Sequence, residues 1–404
     1  MTRPLDGIRV LDWTIFQQGP VATMMLAELG ADVIKIEHRT EGDPARGMMK
    51  MIGQLIGGDV GRNPYYENNN RGKRCITIDV TKEKGKELIY QLVEKSDVFV
   101  HNFRMGVDKK LGLDYETLSK HNPKLIYAHA SGWGPDGPDA NDPSADYTGV
   151  ARSGLMSVAG EPDMDPQMVQ AGVGDQMGAT MTAYGILAAL LARERFGIGQ
   201  KVEIGMLGAL MHLLGLAVTM RCISKIPTMR TARKNVGNPL WNHYKCKDDH
   251  WLALAHLQPD KFWGNLCKSM DLENLQNDPK FVNMEARGKN ATELIGILDK
   301  LFLTKNRDEW MAIFKKNNVI YSRLNFISDL DNDPQVLANN YIIDYEHPTW
   351  GKIQEVGFPV IFGETPSEIT RAAPEFGEHS EEILLEILGY DWDEIIKLKD
   401  EEVI

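Results

Sequence analysis

Residues 8–37 read IRVLDWTIFQQGPVATMMLAELGADVIKIE. IRVLDW at 8–13 is a short apolar run, hence a strand, and the turn QQGP follows it. VATMMLAELGA carries helical spacing, and DVIKIE at 32–37 is a second strand. Strand, helix and strand within about thirty residues make a parallel crossover unit. The alternation continues with strands at 75–80 (CITIDV), 97–103 (DVFVHNF) and 124–132 (KLIYAHASG). An amphipathic helix at 82–96 and a shorter one around 114–121 separate them. Roughly the first 135 residues therefore predict a Rossmann-like, doubly wound α/β domain.

Outward from that core, the chain is loop-rich over 134–174 and then helical over 176–196, with Gly197 and Gly199 as stops. QKVEIGM is a further strand, and the apolar stretch 204–220 reads as a buried core helix, slightly short for a membrane span. After Lys225 the character changes. A polar connector leads to a strand pair turning at Asp248-Asp249, and charged helices run over 260–318. Short strands return around 329–365, and helices at 378–389 and 391–400 close the chain. The division expected is a large domain over 1–222, a smaller α/β domain over 223–325, and a return segment, 326–404, that completes the large domain.

A chain of 404 residues suits two domains, and its 43% hydrophobic and 25% charged residues are ordinary for globular proteins. A net charge of -12 argues against nucleic acid as a main partner. Cys75, Cys222, Cys246 and Cys267 form no CxxC pair, so reduced thiols and a cytoplasmic location are expected, without a zinc site. The opening MTRPLDGIRVLDW lacks a signal-peptide pattern.

Motifs of common chemistries are missing. The first strand–helix turn has no GxGxxG, and HExxH and GxSxG are absent. His243, His250 and His256 match no metal-ligand spacing. Pro20 suits the first position of the first helix, after Phe16-Gln17-Gln18-Gly19. The basic run Arg71-Gly72-Lys73-Arg74 is either a solvated loop or a phosphate site at the sheet's edge. Asp175, in GVGDQMGA, precedes a long helix. Most such residues only cap the helix, but a helix N-terminus also keeps a carboxylate ionised and nucleophilic. Gly172, Gly174 and Gly178 leave room around it for a bulky thioester.

Several ordered segments resemble one family, the class III CoA transferases, which include formyl-CoA and carnitine CoA transferases. They are LDGIRVLDWTIFQQGPVATMMLAELGADVIKIE, NRGKRCITIDV, DVFVHNFRMGVDKKLGLDYETL, NPKLIYAHASGWG, GDQMGATMTAYGILAALLARERFGIGQKVEI and YKCKDDHWLALA. The resemblance runs from residue 5 to about 267. It implies that Asp175 attacks an acyl-CoA and passes through a mixed anhydride to an aspartyl-CoA thioester, with Gln17 donating to developing charge. It places His38 and Arg39 at the nucleotide end of CoA and makes Asn102, Phe103 and Val107 a CoA-contacting loop. Lys73 is then a phosphate contact. Lys110 stands where the formyl-CoA transferases carry an arginine, and a lysine there keeps charge without the bidentate fork.

The resemblance implies CoA and acyl-CoA as substrates, no permanently bound cofactor, no metal and no membrane. It also implies an interlocked ring dimer, homomeric or paired with a paralogous subunit. Formyl-CoA transferases have a glycine run in the small domain, whereas RKNVGNPLWNHYKC here holds Gly237 alone. A larger acceptor than oxalate follows, such as a hydroxy acid or arylsuccinate, with Trp133, Trp241 and Tyr147 as candidate contacts and succinyl-CoA as a candidate donor. The related racemases use a GHD-like motif. The stretch Pro143-Ser144-Ala145-Asp146-Tyr147 has no histidine, which disfavours 2-methylacyl-CoA epimerisation. The nucleophile match at Asp175 disfavours a non-catalytic CoA-binding subunit.

Overall fold

The computed structural model describes residues 2–51, 54–56 and 63–404. They form two compact units. The first comprises 1–156, 168–226 and 340–404, and the second comprises 157–167 and 227–339.

Six strands build the sheet of the first unit: β1 (Arg9–Trp13), β2 (Asp32–Glu37), β3 (Arg74–Thr77), β4 (Val98–His101), β5 (Ile126–Ser131) and β6 (Gln200–Gly205). All neighbours pair in parallel, in the order β3-β2-β1-β4-β5-β6. This is the strand order of dinucleotide-binding folds, which reverses direction between β1 and β4. The inner strands are apolar on consecutive residues, as in Val98-Phe99-Val100 and Ile126-Tyr127-Ala128, all buried. A sheet covered on both faces needs that run rather than alternation.

One face carries α1 (Gln18–Glu28) and α7 (Val173–Phe196), packed through Val21, Ala22, Ala179, Ala183 and Ile186. The other carries α3 (Glu83–Glu94) with Leu88, Ile89, Leu92 and Val93, together with the last stretch of chain. There Ile383, Leu384, Ile395, Leu398, Val403 and Ile404 join the same core. The returning chain is also held by polar contacts. The Arg371 carbonyl accepts from Gly72 N at 2.8 Å, and Arg74 reaches Glu382 at 2.9 Å.

Three expectations about elements change. Helix α1 begins at Gln18, so Pro20 is its third residue rather than its first. Helix α7 begins at Val173 after a left-handed Gly172 (φ 65°), so Asp175 lies inside the first turn and is not the cap. The stretch 204–220 is no single buried helix. β6 ends at Gly205, α8 (Met206–Leu213) and α9 (Gly215–Ser224) meet at a 79° bend, and Leu216 and Ile223 are 78% and 79% exposed. Among the described residues no single helix is long and apolar enough to cross a membrane, although this bent pair passes on length and composition.

The second unit has an antiparallel three-stranded sheet of β7 (Trp241–Lys245), β8 (Trp251–Ala255) and β9 (Tyr321–Leu324), with β8 in the middle. The turn between β7 and β8 places Asp249 at a φ of 63°. Helices over 259–316 pack on this sheet around an aromatic core in which Tyr244 of β7, Phe302, Trp310 and Phe314 touch in sequence.

Candidate active site

Ligands of open α/β sheets bind beyond the carboxyl ends of the strands, where the strand order reverses. Here that point is the space after β1 and β4, filled by the loops 14–17 and 102–106. The first loop is strained and heavily braced. Phe16 has a φ of 63°, a region costly for a side chain of that size. Asn102 clamps Ile15 from both sides, accepting from its N–H at 2.9 Å and donating to its carbonyl at 2.8 Å. The Asp43 carboxylate accepts from Phe16 N at 3.1 Å, and Asn69 donates to the Phe16 carbonyl at 3.1 Å. Beneath the loop, Lys35 bonds the Thr14 carbonyl at 2.9 Å and pairs with Asp43 at 2.8 Å. The result is a braced backbone that leads to Gln17 at the mouth of the sheet.

A cleft of about 740 Å³ opens there, lined by Gln17, Tyr65, Asn102, Asp146 and Asp175 among others. A second chamber of about 250 Å³ adjoins it, lined by Trp13, His38, Glu41 and Thr81. Ile15, Phe103 and Val107 line both chambers and so form the waist between them.

Asp175 enters the cleft from the first turn of α7. A neighbour takes the helix's free N–H groups. Asp146, at the start of α6 (Asp146–Ser153), accepts from Gly174 N at 2.6 Å and from Asp175 N at 3.2 Å. The Asp175 carboxylate accepts no hydrogen bond from any described residue. Burial first, and then the adjacent Asp146 charge, raise its pKa to about 7. The helix N-terminus does not hold Asp175 ionised as expected from sequence, because its donors serve Asp146 instead. Tyr65 is raised as well, chiefly by burial and next by the Asp175 charge.

The glycines around Asp175 have a different use from open room. A Cβ on Gly172 would sit 2.6 Å from the Gln17 amide, and one on Gly178 would sit 2.6 Å from the Gln18 amide. A Cβ on Gly174 would meet Asp146 and Met206 at 3.0 Å. The glycines bring α7 against the two glutamines and the second carboxylate.

Of the residues singled out from sequence, Asp175, Gln17, Asn102, Phe103 and Val107 share the cleft, and His38 lines the adjoining chamber. Arg39 lines neither chamber; it bonds the Ile404 carbonyl at 3.0 Å. Lys110 is exposed on α4 (Val107–Leu111) and also lines neither. Lys73 requires correction. It is fully buried, and its ammonium donates to Asp12 at 2.7 Å, Pro20 O at 2.8 Å and Asn70 at 2.9 Å. With three donors used, it offers a phosphate nothing. Its neighbours are equally committed, Arg71 to Glu28 and Glu355, and Arg74 to Asp32 and Glu382. The basic run is internal bracing of the edge strand. Tyr147 lines the cleft, whereas Trp133 and Trp241 do not.

Sequence reasoning missed Tyr65, Arg104 and the methionines Met105, Met168 and Met206, all lining the cleft. Met105 and Arg104 lay within a quoted segment, but their side-chain directions had no sequence signal. Asp146 carries no sequence signal for its contact with the start of α7.

A doubly wound sheet with a half-buried carboxylate in the cleft at its switch point is the frame of a ligand-binding α/β enzyme. The model for CoA-transferase family III matches residues 5–380, and the chain belongs to that family. It is 30% identical over 401 residues to the (R)-2-hydroxy-4-methylpentanoate CoA-transferase of Clostridioides difficile, covering 99% of each chain. It is 30% identical to the cinnamoyl-CoA:phenyllactate CoA-transferase of Clostridium sporogenes, covering 100% of this chain and 98% of that one. The fold is similar to that of a CAIB/BAIF family protein from Brucella suis, with a TM-score of 0.83, 28% identity, and coverage of 96% of this chain and 100% of the other. The chain is thus a class III CoA transferase, acting between CoA thioesters and acids.

Proposed function

We propose that the chain moves CoA from a short acyl-CoA, such as succinyl-CoA, to a larger carboxylic acid with an apolar or aromatic side chain, through Asp175. The observation that carries the mechanism is the Asp175 carboxylate itself, without a hydrogen bond from any described residue and lining the same cleft as Gln17.

The ionised Asp175 oxygen attacks the thioester carbonyl. The tetrahedral intermediate expels CoA thiolate and leaves a mixed anhydride. Thiolate then attacks the aspartyl carbonyl and expels the donor carboxylate, which gives an aspartyl-CoA thioester. The acceptor carboxylate attacks that thioester and releases thiolate, forming a second anhydride. Thiolate attacks its acceptor-side carbonyl, yielding the new acyl-CoA and regenerating the Asp175 carboxylate. No net proton is taken up or released. The Gln17 amide is the donor to the oxyanions, and Asn102 fixes the loop that aims it.

Met105, Met168, Met206, Phe16 and Tyr147 give the cleft an adaptable apolar wall, which supports a bulky acceptor. The two relatives above act on acids of that kind by name. The narrow chamber beside His38 is the nucleotide end of the thioester, with Asn102, Phe103 and Val107 along its arm. We further propose a dimer, interlocked and homomeric unless a paralogous subunit is supplied. The exposed Leu216, Met220, Ile223 and Ile226 are surface for it to cover.

The test is a panel of acyl-CoA donors and free acids, with new thioesters read by mass spectrometry. Borohydride added during exchange should reduce the acylated side chain at residue 175. Fast transfer to oxalate or formate alone would overturn the acceptor class, and full exchange by Asp175→Ala would overturn the mechanism.

A further inference from the structure

His129 lies beneath the waist of the cleft, outside the residues that line it. Three cross-strand neighbours stand in one row of the sheet: His101 on β4, His129 on β5 and Glu203 on β6. The two imidazoles stack with centroids 4.2 Å apart and planes within 1°. His129 Nδ1 is 3.0 Å from the Glu203 carboxylate, and its Nε2 is 2.9 Å from the Phe103 carbonyl oxygen. A carbonyl only accepts, so the contact assigns a proton to Nε2. Glu203 fixes the ring from the opposite side and is itself held by Lys201.

Phe103 belongs to the strap 102–111 that forms the waist. Polar contacts tie the strap down at several points. Asn102 grips Ile15, as described. The Asp108 carboxylate accepts from the Tyr127 hydroxyl at 3.0 Å. The Phe103 carbonyl is another such point, and His129 is its partner. The stacked His101 meets the same tyrosine hydroxyl at 3.0 Å. Burial, then the His129 and Lys201 charges, keep the His101 pKa well below its usual 6.5, so a neutral ring lies against His129.

We infer that His129, oriented by Glu203, is a positioning residue for thioester binding: its Nε2–H pins the Phe103 carbonyl and thereby sets the waist through which the CoA arm passes. The inference rests on the CoA-transferase reading above. Removing the donor leaves a part-buried carbonyl unpaired and loosens the strap, while Asp175 and Gln17 stay in place. Affinity for CoA should fall and turnover at saturation should not.

Two variants separate positioning from general core damage. In His129→Gln the amide nitrogen falls near the position of Nε2 and still reaches the carbonyl. In His129→Asn the shorter amide falls near Nδ1, on the Glu203 side, and leaves the carbonyl bare. Calorimetric titration of the full-length chain with free CoA should show His129→Asn weakened roughly tenfold, the loss expected for one hydrogen bond. His129→Gln should stay within about threefold of wild type, and kcat with saturating succinyl-CoA within about threefold for both. If the Asn variant does not fold, imidazole ¹⁵N shifts of the wild-type protein still decide, since a bare Nε2 on His129 overturns the inference. Equal CoA affinity for the two variants also overturns it. A wild-type chain that binds no CoA would instead overturn the underlying functional reading.

Discussion

Replacing Asp175 by Asn should make the protein more stable and inactive, and the gain should grow with pH. The carboxyl's pKa rises from 3.8 to about 7 through burial and the Asp146 charge. Because the folded value lies above the unfolded one, folding favours the protonated form. That contribution is fully present below pH 3.8 and is lost as pH climbs through 7. At about 1.4 kcal/mol per pH unit, the full shift has a ceiling of about 4 kcal/mol. Asp175 opens on the cleft, and solvent screening trims the part expressed between pH 5 and 8 to about 1–2 kcal/mol. Asparagine has the shape of the neutral acid and carries no charge. Urea unfolding of wild type and variant at pH 5, 6, 7 and 8 measures the difference directly. The variant's advantage should widen up to pH 7 and level off above 8. An advantage that stays constant or shrinks over that range would refute the claim that the nucleophile is held at an energetic cost.

Three further outcomes follow from the same geometry. Exchange activity should rise with pH, tenfold per unit below 7, and level off above 8, because only ionised Asp175 attacks; a profile flat from pH 5 to 8 would contradict this. Gly172→Ala places a methyl 2.6 Å from the Gln17 amide in a left-handed position, so it should lower turnover about as far as Gln17→Ala, roughly a hundred- to thousandfold, with CoA binding changed far less. Lys73→Met should lower stability by about 3–5 kcal/mol, since it leaves Asp12 charged and buried, and the surviving folded protein should keep its KM for acyl-CoA.

The sheet was legible because its signal is local. The inner strands carry short apolar runs such as Val98-Phe99-Val100 and Ile126-Tyr127-Ala128, and the helix at 83–94 shows its own period. The place of Asp175 in the cleft was legible for a related reason, as a carboxylate among glycines at a helix start. Its ionisation was misjudged because the decisive neighbour, Asp146, is 29 residues away and competes for the same N–H groups. Lys73 was misassigned for the opposite reason. A basic run looks solvated in sequence, and only the fold shows Asp12 lying across from it. The buried reading of 204–220 took apolarity as burial, whereas the chain bends at Leu214 and turns the second helix outward. Tyr65 and the methionine wall had no pattern to betray them. Their role depends on which loop faces the cleft.

The sheet's core is finished by residues contributed from both sides of the inserted second unit. Ile383, Leu398 and Val403 close the face that also carries Leu88 and Phe99. A ribosome delivers these pieces in order, so the nascent sheet emerges with one flank uncovered. At roughly 5–20 residues per second, the intervening chain takes on the order of ten seconds to appear. The second unit has its own aromatic core and is free to fold during that interval, while the catalytic half waits. During translation, that flank stays short of its apolar cover until the final helices arrive.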